Sequence, residues 1–160
     1  MWLPTTSKLM AARLRLRRPA KMVVIQRPCE PEIATWAQAA YPCEAVGLLV
    51  GRRVGDNWEI HMLVPAANLA ATPATQFVLD PTAWFGAERI AVQVGMSIVG
   101  IIHSHPDAPA RPSAHDSASG DSLGRDIIFF ISTITKKGIT ALTAWQWDGR
   151  EYQEIVVQWN

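Results

Sequence analysis

The chain has little cysteine, little charge and few histidines. Cys29 and Cys43 are the two cysteines among 160 residues. They cannot make a disulfide framework and neither has a CxxC partner, so a reducing compartment, the cytoplasm, is the simpler setting. No apolar run reaches the roughly 18 residues needed to cross a bilayer, which argues against a membrane-spanning helix. Charged residues are scarce at 18%, but hydrophobic ones reach 49%. That balance excludes a disordered chain, and the length suits one domain with a real core. Eleven prolines and seven tryptophans are present; they predict many turns and several large anchors. No internal repeat is visible.

A net charge of +1 hides an asymmetry. Residues 1–21 carry Lys8, Arg13, Arg15, Arg17, Arg18 and Lys21 and no acid, so the rest of the chain is acidic. The head lacks the apolar stretch of a secretory signal. It reads as a loose basic extension, such as an over-long gene start produces, with Met22 opening a single domain over 22–160. A transit peptide or a basic arm for anionic surfaces is the alternative.

Hydrophobic spacing at Ile33, Trp36, Ala37 and Ala40 predicts a short helix over 31–40, stopped by Tyr41-Pro42. "AVGLLVGRR" (45–53) reads as a buried strand, and "NWEIHMLVP" (57–65) as its hairpin partner across Gly55-Asp56. Asp80 and Pro81 predict the cap and first turn of a second helix ending near Gly95. Residues 97–105 and 126–134 read as further buried strands, and Asp148-Gly149 as the turn of a C-terminal hairpin. The order predicts an α+β domain (an α/β sandwich) with a mixed β-sheet flanked by helices.

Three of the four histidines fall in "GIIHSHPDAPARPSAHD" (100–116). Side chains alternate along a strand, so His103 and His105 share a face at its end while Ser104 points away. Two imidazoles and a carboxylate suit a catalytic Zn²⁺, which keeps its fourth position for water. Asp116 is the carboxylate candidate, with Asp107 and His115 as competitors. The loop of Pro106, Pro109 and Pro112 loses little entropy on ordering. A plainer reading is a solvated strand end followed by a helix cap, because Ser113-Ala114-His115-Asp116 also matches a capping box. His115 is expected at the surface, and His61 looks like an isolated strand residue. Hydrolysis also needs a proton carrier. Glu44 is the candidate, between a helix stop and a buried strand, where a charged group is costly unless paired. The plainer reading is an exposed strand start. Cys43 has no obvious base nearby, which argues against a catalytic thiol.

These residues resemble the JAMM/MPN+ (Mov34/MPN/PAD-1) zinc metalloprotease signature. Glu-x-x-Gly-Leu-Leu-x-Gly runs from Glu44 to Gly51, and His-Ser-His-Pro from His103 to Pro106. Seven residues separate His105 from Ser113-x-x-Asp116. The resemblance covers residues 22 to about 135 and implies a cytidine-deaminase-like mixed sheet between helices. It implies that His103, His105 and Asp116 hold one Zn²⁺ per chain. It further implies that Glu44 takes and returns the proton of a metal-activated water, and that Ser113 donates to the oxyanion.

Within the family, "HSHPDAPARPSAHD" looks most like the short bacterial branch. That implies a zinc (iso)peptidase cutting after the C-terminal Gly-Gly tail of a ubiquitin-like sulfur-carrier protein. No nucleic-acid or membrane partner is implied, and a homodimer stays open. Glycine-rich "SASGDSLGRD" (117–126) departs from the apolar helix expected after Asp116. Two other readings stand beside this one: a non-catalytic MPN scaffold, and a DNA-repair-associated branch. The scaffold usually lacks ligands or the glutamate. The repair branch usually reads His-Asn-His-Pro-Ser-Gly, where Ser104 and Asp107 stand here.

Overall fold

A computed structural model of the chain describes residues 19–160. The expected extension over 1–21 therefore lies outside the described residues, except for Pro19, Ala20 and Lys21. Ala20 is buried and its N–H donates to Gln146 Oε1 at 3.1 Å. Lys21 pairs with Asp56 at 2.9 Å.

In chain order the elements are β1 (Met22–Ile25), α1 (Cys29–Ala40), β2 (Val46–Val54), β3 (Asn57–Ala66), α2 (Pro81–Gln93), β4 (Ser97–Pro106), α3 (Ala114–Leu123), β5 (Ile128–Thr135), β6 (Gly138–Trp147) and β7 (Tyr152–Trp159). The helices and strands read from periodicity occur within a few residues of the predicted bounds. Asp80 caps α2 by accepting from the Thr82 N–H at 2.9 Å, with Pro81 in the first turn.

The architecture differs from the expected sandwich. The seven strands close into a barrel in the order β1-β3-β2-β4-β5-β6-β7, so the expected α/β sandwich, a cytidine-deaminase-like mixed sheet flanked by helices, is not what forms. Closure depends on β1, a four-residue strand too short to stand out in the sequence. It lies parallel to both β3 and β7, with Val23 opposite Trp58 on one side and Val157 on the other. Both open edges of the sheet are satisfied at once, which removes unpaired backbone groups that an open sheet would present. The helices pack against parts of this barrel, α1 on β3, β5 and β6, and α2 on β2, β3 and β4.

Two apolar clusters explain why the central strands read as unbroken hydrophobic runs. Leu49, Ile102, Ile128 and Phe130 belong to one cluster, together with Ile33 of α1. Leu48, Ile101 and Phe129 belong to the other, together with Ala87 of α2. Adjacent residues on β2, β4 and β5 thus face different clusters, and both faces of these strands are buried. Each such aliphatic or phenyl side chain contributes about 1.5–3 kcal/mol by leaving water.

The placement of β4 depends on a close approach at Gly100. A Cβ there would collide with the Ile128 carbonyl oxygen of β5 and lie 2.8 Å from the Phe130 ring. A backbone oxygen cannot rotate aside. Gly100→Ala should therefore lower stability by about 2–3 kcal/mol, read as an earlier midpoint in urea at unchanged slope.

Candidate metal centre

The strand β4 carries the two imidazoles, and its alternation puts them on the face shared with Ile101. His103 is fully buried, packed against Phe77 with ring centroids 4.5 Å apart and ring planes tilted by 34°, and edge-on to Phe129 at 5.9 Å. His105 sits one pleat further on, where its Nδ1 lies 2.8 Å from the Pro109 carbonyl. A carbonyl only accepts, so that contact places a proton on Nδ1, and in the neutral ring the lone pair is then on Nε2, the nitrogen turned toward Asp116. The proline loop is held for this purpose. The Thr133 hydroxyl donates to Ala108 O at 2.8 Å and the Thr143 hydroxyl to Ala110 O at 2.6 Å.

Asp116 arrives from the first turn of α3. Ser113 caps that helix in a reciprocal box: its hydroxyl accepts from the Asp116 N–H at 3.2 Å, and its own N–H donates to Asp116 Oδ2 at 2.7 Å. The capping reading and the metal reading thus describe one device, since the cap aims the carboxylate. Gly120 lets α3 lie flat on Trp147, whose ring a Cβ would meet at 2.5 Å. The Tyr152 hydroxyl reaches Asp116 O at 3.4 Å. The C-terminal hairpin therefore braces the helix that the glycine-rich sequence left in doubt, and that helix has ten residues.

The three groups converge. His103 Nε2 lies 3.1 Å from His105 Nε2 and 3.1 Å from Asp116 Oδ1, and His105 Nε2 is 3.4 Å from Asp116 Oδ2. A tetrahedral site with bonds of about 2.05 Å has ligand-to-ligand edges of roughly 3.3 Å. The edges from His103 Nε2 are close to that size, although the two imidazoles face different Asp116 oxygens, and all the ligand atoms lie within 4.8 Å of one another, so the residues present fit a divalent cation. Among the described residues this is the group of three that could hold a metal ion. The electrostatics agree. Burial lowers the His103 pKa more than Asp116 raises it, which keeps the ring neutral. Burial also acts to lower His105, but its bonds to Asp116 and Pro109 and the Asp116 and Glu44 charges outweigh it, and the net shift is upward. Burial alone would raise Asp116; the hydrogen bonds to both imidazoles overcome it and hold the carboxyl far below its usual range.

Glu44 lies just before β2. Antiparallel pairing sets Val46 opposite His103, and the same register continued brings Glu44 level with His105. Glu44 is 7% exposed. Burial pushes its pKa up to about 7, with His105 pulling down, Asp116 pushing up and His115 pulling down. The exposed strand start considered from sequence is therefore not what forms. Ser104, pointing away from the imidazoles as expected, accepts from the Ala45 N–H at 2.8 Å and so anchors the residue next to Glu44.

The remaining candidates fall elsewhere. Asp107 is exposed and accepts from the Tyr41 hydroxyl at 2.7 Å. His115, expected at the surface, is half-buried with Nε2 3.2 Å from Phe77 O. His61 has a partner in Glu59 at 3.3 Å. Cys29 and Cys43 are free thiols. Three contributors escaped the sequence reading: Asn68, Phe77 and the Pro109 carbonyl. No local pattern marks them, because each acts through a tertiary contact.

Residues 26–148 match the family described as prokaryotic homologs of the JAB domain. The chain belongs to that family. The JAMM/MPN+ resemblance is borne out, and this JAB domain has named relatives. It is 39% identical over 75 residues to a probable TtuB-protein conjugate cleaving protease of Thermus thermophilus, a match covering 47% of each protein. The chain thus spans about half the length of that relative. It is 29% identical over 116 residues to the desampylase of Haloferax volcanii, covering 72% of this chain and 78% of that one. A solution structure of a Desulfitobacterium hafniense protein superposes with a TM-score of 0.73 at 29% identity, covering 87% of this chain and 93% of the other. No described helix of this JAB domain is long and apolar enough to cross a membrane.

Proposed function

We propose that the JAB domain is a zinc-dependent peptidase or isopeptidase that cuts after the C-terminal Gly-Gly tail of a ubiquitin-like or sulfur-carrier protein. The observation that carries this reading is the convergence of His103 and His105 Nε2 on each other and on the two Asp116 oxygens at 3.1–3.4 Å, with a buried carboxyl of elevated pKa beside them. The names of the Thermus and Haloferax relatives support the substrate class. The free thiols Cys29 and Cys43 support a reducing compartment such as the cytoplasm.

His103 Nε2, His105 Nε2 and one Asp116 oxygen would hold the zinc. Bound there, zinc supplies Lewis acidity that lowers the pKa of water and polarises an amide carbonyl. Glu44 accepts a proton from the attacking water as its oxygen bonds to the carbonyl carbon. The same carboxyl can later release the proton to the amine nitrogen as the C–N bond breaks. The Ser113 hydroxyl already accepts from Asp116 N–H, so its own proton is free to donate to the carbonyl oxygen as charge builds there. A diglycine tail has no side chains, which lets its backbone approach such a buried site closely.

The test is a conjugate of a diglycine-ended carrier with a lysine-bearing protein, incubated with zinc-loaded enzyme. Wild type should release the intact carrier ending in Gly-Gly. Ser113→Ala should cut about 10²–10³-fold more slowly while retaining its zinc. A wild type that binds carrier but never cleaves it would favour the scaffold reading instead.

A further inference from the structure

Glu44 lies before the first residue of β2, outside the ladder, and needs its own restraint. That restraint comes from the segment between β3 and α2. The Glu44 N–H donates to Pro73 O at 2.7 Å. Asn68 Nδ2 donates to Glu44 O at 3.0 Å and to Gln76 O at 3.0 Å. The Asn68 Oδ1 accepts from Ala70 N–H at 3.0 Å and from Val78 N–H at 3.1 Å. One half-buried amide therefore ties both arms of the loop together and fastens the loop to Glu44. The same loop carries Phe77 onto the His103 ring. On the other flank Ser104 grips Ala45.

We propose that Asn68 is a positioning residue for Glu44, setting where the carboxyl stands relative to the imidazole pair without touching substrate. The proposal rests on the role given to Glu44 above. Asparagine suits the task because one side chain offers two donors and an acceptor with two lone pairs. A serine or aspartate cannot complete the same four bonds. Misplacing a proton carrier by about 1 Å costs on the order of 10²-fold in rate, so a loop anchor remote from the chemistry can govern it.

Two variants separate positioning from mere loop folding. Asn68→Asp keeps the acceptors for Ala70 and Val78 but loses the donors to Glu44 and Gln76. Asn68→Ala loses all four bonds and adds no charge. In both, amide exchange at Glu44 should speed up at least about tenfold while Ala45, held by Ser104, is unchanged. Zinc should stay at one per chain, kcat should fall about 10²-fold and KM should move less than about twofold. Added to Glu44→Gln, either variant should cost no more than about twofold further, since the group it positions is already disabled. Unchanged exchange at Glu44, unchanged kcat, loss of zinc, an undiminished effect in the Glu44→Gln background, or global unfolding of both variants would each overturn the assignment. Should wild type itself fail to cleave, the functional reading falls, while the exchange data still decide whether Asn68 holds Glu44.

Discussion

Glu44→Gln should reduce conjugate cleavage by about 10³–10⁴-fold while leaving zinc at one per chain. The amide keeps the size of the carboxyl and, in the apo protein, its burial, but it can neither accept the water's proton nor return it to the leaving nitrogen. Both proton transfers lose their carrier, so the loss should exceed that for Ser113→Ala. Stability should move the other way. Burial raises the Glu44 pKa from an ordinary 4.5 to about 7, so the folded state binds the proton more tightly than the unfolded chain. Stability of the metal-free wild type therefore falls as pH rises through the window from about 4.5 to about 7. The glutamine variant lacks that penalty. Metal-free Glu44→Gln should melt a few degrees above metal-free wild type at pH 8, a gain of about 1 kcal/mol because water still screens part of the carboxyl. The gap should close near pH 4. Equal melting temperatures at pH 8 would show that Glu44 is not held in a desolvated site, and full activity would remove it from the mechanism.

Asp116→Asn should abolish zinc binding and with it all measurable cleavage. The amide oxygen can still accept the Ser113 N–H, so the helix cap survives. What is lost is the negative charge that offsets a divalent cation against two neutral imidazoles. Metal content measured without chelation should drop from about one per chain to under about a tenth, and added zinc should not restore cleavage. A His103→Ala/His105→Ala double variant should read the same for metal, with a further cost. It leaves the Asp116 carboxylate buried without the two imidazoles, and with the Ser113 N–H as what remains of the partners that now depress its pKa. Leaving a buried carboxylate short of its hydrogen bonds costs about 1–3 kcal/mol, so this variant should unfold earlier than Asp116→Asn. Stoichiometric zinc in either would place the metal elsewhere.

Most of the local structure was legible. The strand β4 could be read from an apolar run ending in two histidines, and β2 from its glycine-bounded run. The Ser113 cap and the Asp80–Pro81 helix start follow from side chains that bond to backbone a few residues away. The cluster of His103, His105 and Asp116 was also legible in outline, because i and i+2 on a strand share a face and a capping box fixes the direction of its own carboxylate. These relations are short-range and repeat wherever the same residues occur at the same spacing.

The barrel was not legible, and neither were the supports of the site. Closure rests on four residues of β1 whose apolar character says nothing about having two partners 35 and 134 positions away at Val23, opposite Trp58 and Val157. Asn68 sits in a segment with no periodicity, and its worth lies in the Glu44 and Gln76 carbonyls it reaches only after folding. By itself the sequence determined which residues could bind a cation and the short elements that carry them, since alternation and capping are properties of adjacent residues. Tertiary structure alone decided that the sheet closes, that Glu44 is largely desolvated and that an asparagine loop fastens it, because desolvation and long-range pairing arise only when distant segments are packed together.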